Sequence, residues 1–182
     1  HPYTKDELGA RIRLHWEGAE YRGRFRQVIW DGSATVTDNT IASASGFNFF
    51  NPERGLTHVN DTTVEWASLT TGNFAGADIH LADAWGGTLQ IETPLIKCGV
   101  PIEDIGFEDE VVDNSGVLPR FLKIFRMPDV NPHRHINFER TIDLADNRDN
   151  PIFVRVTQED GVRAWSSPIF ICRDASKHHP LD

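Results

Sequence analysis

"RIRLHW", residues Arg11 to Trp16, decides the fold: Ile12, Leu14 and Trp16 take every second position, and Arg11, Arg13 and His15 fill the gaps. Successive side chains of an extended chain point to opposite faces, so this spacing puts three large apolar groups on one side and three basic groups on the other. That is the signature of a half-buried β-strand.

The same period recurs outward from it. Ala34 and Val36 alternate with Ser33, Thr35 and Thr37, Ile79 and Leu81 with Asp78 and His80, and Leu89 and Ile91 with Thr88, Gln90 and Glu92. Ile136, Phe138, Ile142 and Leu144 face one way and Asn137, Glu139, Thr141 and Asp143 the other, broken only by Arg140. Asp31-Gly32, Asp38-Asn39, Gly72-Asn73, Gly86-Gly87 and Asp160-Gly161 supply the turn chemistry between runs. The last run, "NPIFVRVTQEDGVRAWSSPIFICR" from Asn150 to Arg173, reads as one hairpin around Asp160-Gly161. Val154, Val156, Ile169 and Ile171 are expected to close the core, with Trp165 sealing one end. The expectation is an all-β antiparallel sandwich of about ten strands, jelly-roll-like or Ig-like. A single domain over residues 1–182 is expected, with long surface loops at 45–60 and 93–119.

The chain has 182 residues and a net charge of −9, from 27 acidic and 18 basic side chains. Such a balance argues against a nucleic-acid backbone or an anionic membrane as partner. No run approaches the roughly 18 apolar residues of a membrane span. A soluble protein is expected, its compartment open between cytoplasm, periplasm and the secreted state. Met127 is the only methionine, as expected of a fragment processed or excised from a longer chain. Cys98 and Cys172 lie far apart, outside any CxxC or Cys/His zinc pattern, and read as structural thiols, a disulfide between them staying open.

Chemistry-bearing candidates are few. His133 and His135, in "NPHRHINFE", have the two-residue spacing of metal-binding HxH pairs, although Pro132 places them at a loop and no third ligand is fixed. Surface histidines are the plainer reading; a small cupin-like metalloenzyme is the sharper one. The acidic run Glu103 to Asp113 lacks the order of a known calcium loop and reads as a solvated loop, and Asp143, Asp146 and Asp149 read as a turn. Nucleophile elbows, P-loops and dinucleotide fingerprints find no match. Of the five tryptophans, Trp16, Trp66 and Trp165 are in phase with apolar strand neighbours. Trp85 in "DAWGG" is placed for exposure. With Phe49 in the aromatic "GFNFFN" stretch it makes the candidate platform of a carbohydrate- or other ligand-binding module.

The closing hairpin, Asn150 to Ile171, resembles the end of metallohydrolases of the polymerase-and-histidinol-phosphatase (PHP) superfamily, whose uncharacterised members finish on a strand, an acidic-Gly turn and an "AWSSPI"-like strand. "YRGRFRQVIWDGSATV" from Tyr21, "VEWASLTTGNFAGADIHL" from Val64 and "GVLPRFLKIFRMP" from Gly116 are similar to the C-terminal extension of the same family. The resemblance implies a metal-binding catalytic domain N-terminal to this region, holding a divalent metal through its own HxH motif. His133-Arg134-His135 sits late in the chain and does not match that motif, so no catalytic residue, metal ligand or cofactor carries over to this fragment. The role implied is that of an accessory domain of a metal-dependent phosphoesterase, non-catalytic by itself. Its partner is the catalytic domain of its own chain, and its task is docking, stability or substrate access. Assembly into a homo-oligomer stays open.

Overall fold

The computed structural model describes residues 7–20, 26–107, 110–114, 118–130, 134–145, 149–158 and 163–171. It divides into two compact units, His1–Arg134 and His135–Asp182.

The first unit is an antiparallel β-sandwich. Numbered in chain order, β1 (Arg11–Gly18), β4 (Ile41–Phe47), β8 (Phe74–Leu81), β11 (Glu110–Asp113) and β12 (Arg120–Met127) make one five-stranded sheet in the order β11-β12-β1-β8-β4. The second five-stranded sheet joins β3 (Gly32–Thr37), β5 (Gly55–Val59), β6 (Thr63–Ala67), β9 (Thr88–Glu92) and β10 (Lys97–Pro101) in the order β10-β9-β3-β6-β5. Two short strands, β2 (Val28–Ile29) and β7 (Leu69–Thr70), pair at the side.

The alternation read from "RIRLHW" works as expected. Ile12, Leu14 and Trp16 are wholly buried, as are Ala34, Val64, Ile79, Leu89, Leu122 and Ile124 from both sheets. The inner faces meet where the Trp16 and Trp66 rings stack, with centroids 4.8 Å apart and planes 14° from parallel. The buried indole N–H groups find acceptors: Trp16 Nε1 donates to Ser68 Oγ and Trp30 Nε1 to Thr70 Oγ1, each at 2.9 Å. Asp38, Gly72 and Gly87 take positive φ of 58°, 106° and 90°, so three of the expected turns fall where the sequence puts them. Asp31-Gly32 instead leads straight into β3.

Two expected loops shrink. The 45–60 stretch is strand through Phe47 and again from Gly55, leaving a seven-residue loop, and the 93–119 stretch contains β10, a 3₁₀ turn at Ile102–Asp104 and β11. Both lack the apolar alternation that marks β1, β3, β8 and β9, and both gain their strands by pairing with a neighbour, β8 and β6 for one and β9 and β12 for the other.

The second unit is a ribbon. β13 (Asn150–Ile152) pairs with β16 (Ile169–Ile171), and β14 (Arg155–Thr157) with β15 (Arg163–Trp165), all antiparallel. Between the two ladders, Phe153 and Val154 face three residues, Ser166 to Pro168, a one-residue bulge at the proline that has no N–H to give. Ser166 N donates to Val154 O at 2.9 Å and Val154 N to Ser166 Oγ at 3.0 Å, carrying the chain across it. The hairpin is therefore real, although the Asp160-Gly161 turn lies outside the described residues. Its expected burial is not found: Val154, Val156, Ile169, Ile171 and Trp165 are all exposed, Ile169 to 69%. Val156, Trp165, Ile169 and Ile171 pair only within two-stranded ladders and Val154 lies between them, and a two-stranded ladder has no second layer to bury its side chains. The strand expected over Ile136–Leu144 is also absent; residues 134–145 pair with no strand, and Ile136 and Phe138 are exposed.

Candidate functional site

Polar and aromatic side chains gather at three places in the sandwich. The first lies at the Ile12 end of β1. Arg126, opposite Ile12 on β12, points inward in phase with Leu122 and Ile124 and is only 1% exposed. Its Nε donates to Ile105 O at 3.0 Å, Nη1 to Gly9 O at 2.8 Å and to Ala84 O, and Nη2 to Ile102 O at 2.6 Å. Removal from water lowers its pKa, and the nearby Asp129 carboxylate raises it in part. Trp85 covers this cation, its ring centroid 4.6 Å from the guanidinium carbon. Trp85 is exposed, as expected, but its inner face is occupied by Arg126.

The second place is the outer face of the first sheet. Arg13 and Asp78 are direct cross-strand partners on β1 and β8, and the guanidinium grips the carboxylate through two bonds of 2.7 Å. Phe47 lies 4.4 Å over Arg13, and the His15 ring stacks on Phe74 at 4.7 Å and 10°. Gly76 makes this possible, because a Cβ there would meet the Phe47 ring at 2.2 Å and Leu14 O at 2.1 Å. Aromatic rings thus roof a buried ion pair on the side of the sheet that faces away from the core.

The third place is a cleft at the opposite end of β1, beyond Trp16. The loop from Asn48 to Arg54 leaves β4 through Asn48, which takes a positive φ of 56°. Phe49 folds back over Gly46, where a Cβ would stand 2.5 Å from its ring, and meets Trp16 edge-on at 6.1 Å. The loop and the Ser68–Asn73 turn enclose a cleft of about 280 Å³. One carboxylate oxygen organises both walls: Asp31 Oδ1 accepts from Arg54 Nη1 at 2.9 Å and from Ser68 N at 2.8 Å. Phe49 is part of the packed core with its edge on the cleft, and Phe50 beside it is 75% exposed.

The two aromatic candidates, Trp85 and Phe49, therefore stand at opposite ends of β1 and form no common platform. His135 is exposed, and His133 lies outside the described residues, as does Cys172. Cys98 is half-buried on β10, opposite Ile91. Among the described residues no three His, Cys, Asp or Glu side chains converge as metal ligands do, and no helix is long and apolar enough to cross a membrane.

Two features escaped the reading of the sequence. Arg126 breaks an apolar inward phase, and that break was its only signal. The Asn51–Asn73 side of the cleft has none, because two turns distant in sequence build it.

No family model, curated protein or solved structure matches the chain. The likeness to PHP-type metallohydrolases thus rests on the quoted sequence stretches alone.

Proposed function

We propose that the chain is a non-catalytic accessory module of a metal-dependent hydrolase of the PHP type, which docks on the catalytic domain through its terminal hairpin. The observation that carries this reading is the apolar surface of the second unit. Phe153, Trp165, Ile169 and Phe170 are each more than half exposed, and Val154, Val156 and Ile171 are exposed as well. Soluble monomers rarely leave so many large apolar groups of one short segment in water, and apolar exposure on this scale points to an interaction site. The resemblance of this hairpin to the end of PHP-type enzymes names the occupant, a catalytic domain of the same protein.

The divalent metal of such an enzyme would be held by that domain. The described residues offer it no converging ligand set, and their part is to dock, to stabilise and to shape substrate access. The upstream coding sequence gives the first test: an HxH-headed metallohydrolase domain is expected there. Mixed with that domain, the 182-residue chain should bind it, and Phe170→Asp or Trp165→Asp should weaken binding by at least about tenfold, roughly the loss of one buried aromatic anchor. Phosphoester hydrolysis by the chain alone, with added manganese or zinc, would refute the non-catalytic role.

A further inference from the structure

The cleft beside Phe49 holds polar groups that the fold does not use up. Asn51 and Asn73 spend only their carbonyl oxygens: Asn51 Oδ1 accepts from Glu53 N at 3.0 Å, and Asn73 Oδ1 from Thr71 N at 2.8 Å. Among the described residues their Nδ2 groups, and both ends of the Asn48 amide, make no hydrogen bond. Arg54 commits Nη1 to Asp31 and leaves the rest of its fork toward the cleft it lines. The walls therefore offer several N–H donors, and those of Asn51 and Asn73 stand in fixed positions, because each of these two asparagines is held by the turn that its own oxygen closes.

Three further facts narrow the ligand. The Arg54 charge is already balanced by Asp31, so an anion gains little there, while a neutral molecule rich in acceptor oxygens suits the donors. Phe50, 75% exposed at the rim, gives an apolar face for a flat patch of C–H groups. The volume of about 280 Å³ falls just below the ~300–1,000 Å³ of pockets that take drug-sized ligands, which limits the occupant to one ring. A pyranose combines all three properties: hydroxyl oxygens around its edge, C–H groups on its face, and the size of one ring.

We propose that this cleft binds a single neutral pyranose unit of a glycan, with Asn48, Asn51, Asn73 and Arg54 donating to its hydroxyl oxygens and Phe50 lying against its face. The assignment is independent of the docking role of the hairpin, and either can fail without the other.

The test uses the full 182-residue chain, labelled with ¹⁵N, and three neutral probes: the methyl glycosides of glucose, galactose and mannose. At least one is expected to move the Asn51 and Asn73 side-chain amide signals saturably at millimolar concentration, with glucuronate at least about tenfold weaker. Asn51→Asp and Asn73→Asp keep the oxygen that closes each turn and remove the donor, and each should lower affinity about tenfold. Phe50→Ala, at an exposed position that folding does not need, should lower it about three- to tenfold. Lys97→Gln, on the exposed edge of the other sheet, should leave it unchanged. The proposal is overturned if none of the glycosides moves these signals, if binding survives both aspartate variants and Phe50→Ala intact, or if glucuronate binds as tightly as the best neutral probe.

Discussion

The sandwich and the terminal hairpin carry the same period-two alternation and end in opposite states. On β1, Ile12, Leu14 and Trp16 are wholly buried; on the hairpin, Val154, Val156 and Ile169 are exposed. The difference lies in layers, not in strands. Alternation fixes which side chains share a face, and hydrogen bonding fixes the register, but burial needs a second apolar face to pack against. The two five-stranded sheets supply it to each other, whereas each ladder of the hairpin has only two strands. In the docking proposal, that missing layer is the catalytic domain.

Breaking the layered side of this comparison should cost most. Trp16→Ala removes a fully buried ring that stacks on Trp66, and urea unfolding should register a loss of roughly 3–5 kcal/mol. Arg126→Met keeps much of the packing but strands the carbonyls of Gly9, Ala84, Ile102 and Ile105, which the guanidinium now serves. A loss of roughly 3 kcal/mol is expected by the same measurement. Asp78→Asn leaves the buried Arg13 without its counter-charge and should cost roughly 2 kcal/mol, while the double change Arg13→Met with Asp78→Leu should recover most of it. On the hairpin the effect should nearly vanish: Ile169→Thr is expected to shift the stability of the isolated chain by less than about 0.5 kcal/mol. A loss at Ile169 as large as that at Asp78 would erase the contrast.

The strands that could be read from sequence are those whose neighbours differ in polarity. Ile12, Leu14 and Trp16 against Arg11, Arg13 and His15 is the clearest case, and β3, β8 and β9 follow it. β12 hides because its contrast is blurred on both faces: Arg126 stands inward with Leu122 and Ile124, and Phe121, Phe125 and Met127 stand outward. β4, "IASASGF", is built of small residues and has strand form through its pairing with β8. Ile136 to Leu144 shows the reverse, a clear pattern that finds no pairing strand. The candidate site was legible only in its aromatic half. Phe49 announces itself in "GFNFFN", but the donors across from it depend on how two distant turns close.

The contrast between the regions is tested most directly by native-state hydrogen exchange on the 182-residue chain alone. Amides of β1 and β12, such as those of Leu14 and Ile124, should exchange only through global unfolding. Those of Ile152, Val156 and Ile169 should exchange orders of magnitude faster, because a two-stranded ladder is marginal in water. Equal protection across β1 and the hairpin would contradict the account, since the hairpin would then already possess the second layer that the docking partner is proposed to supply.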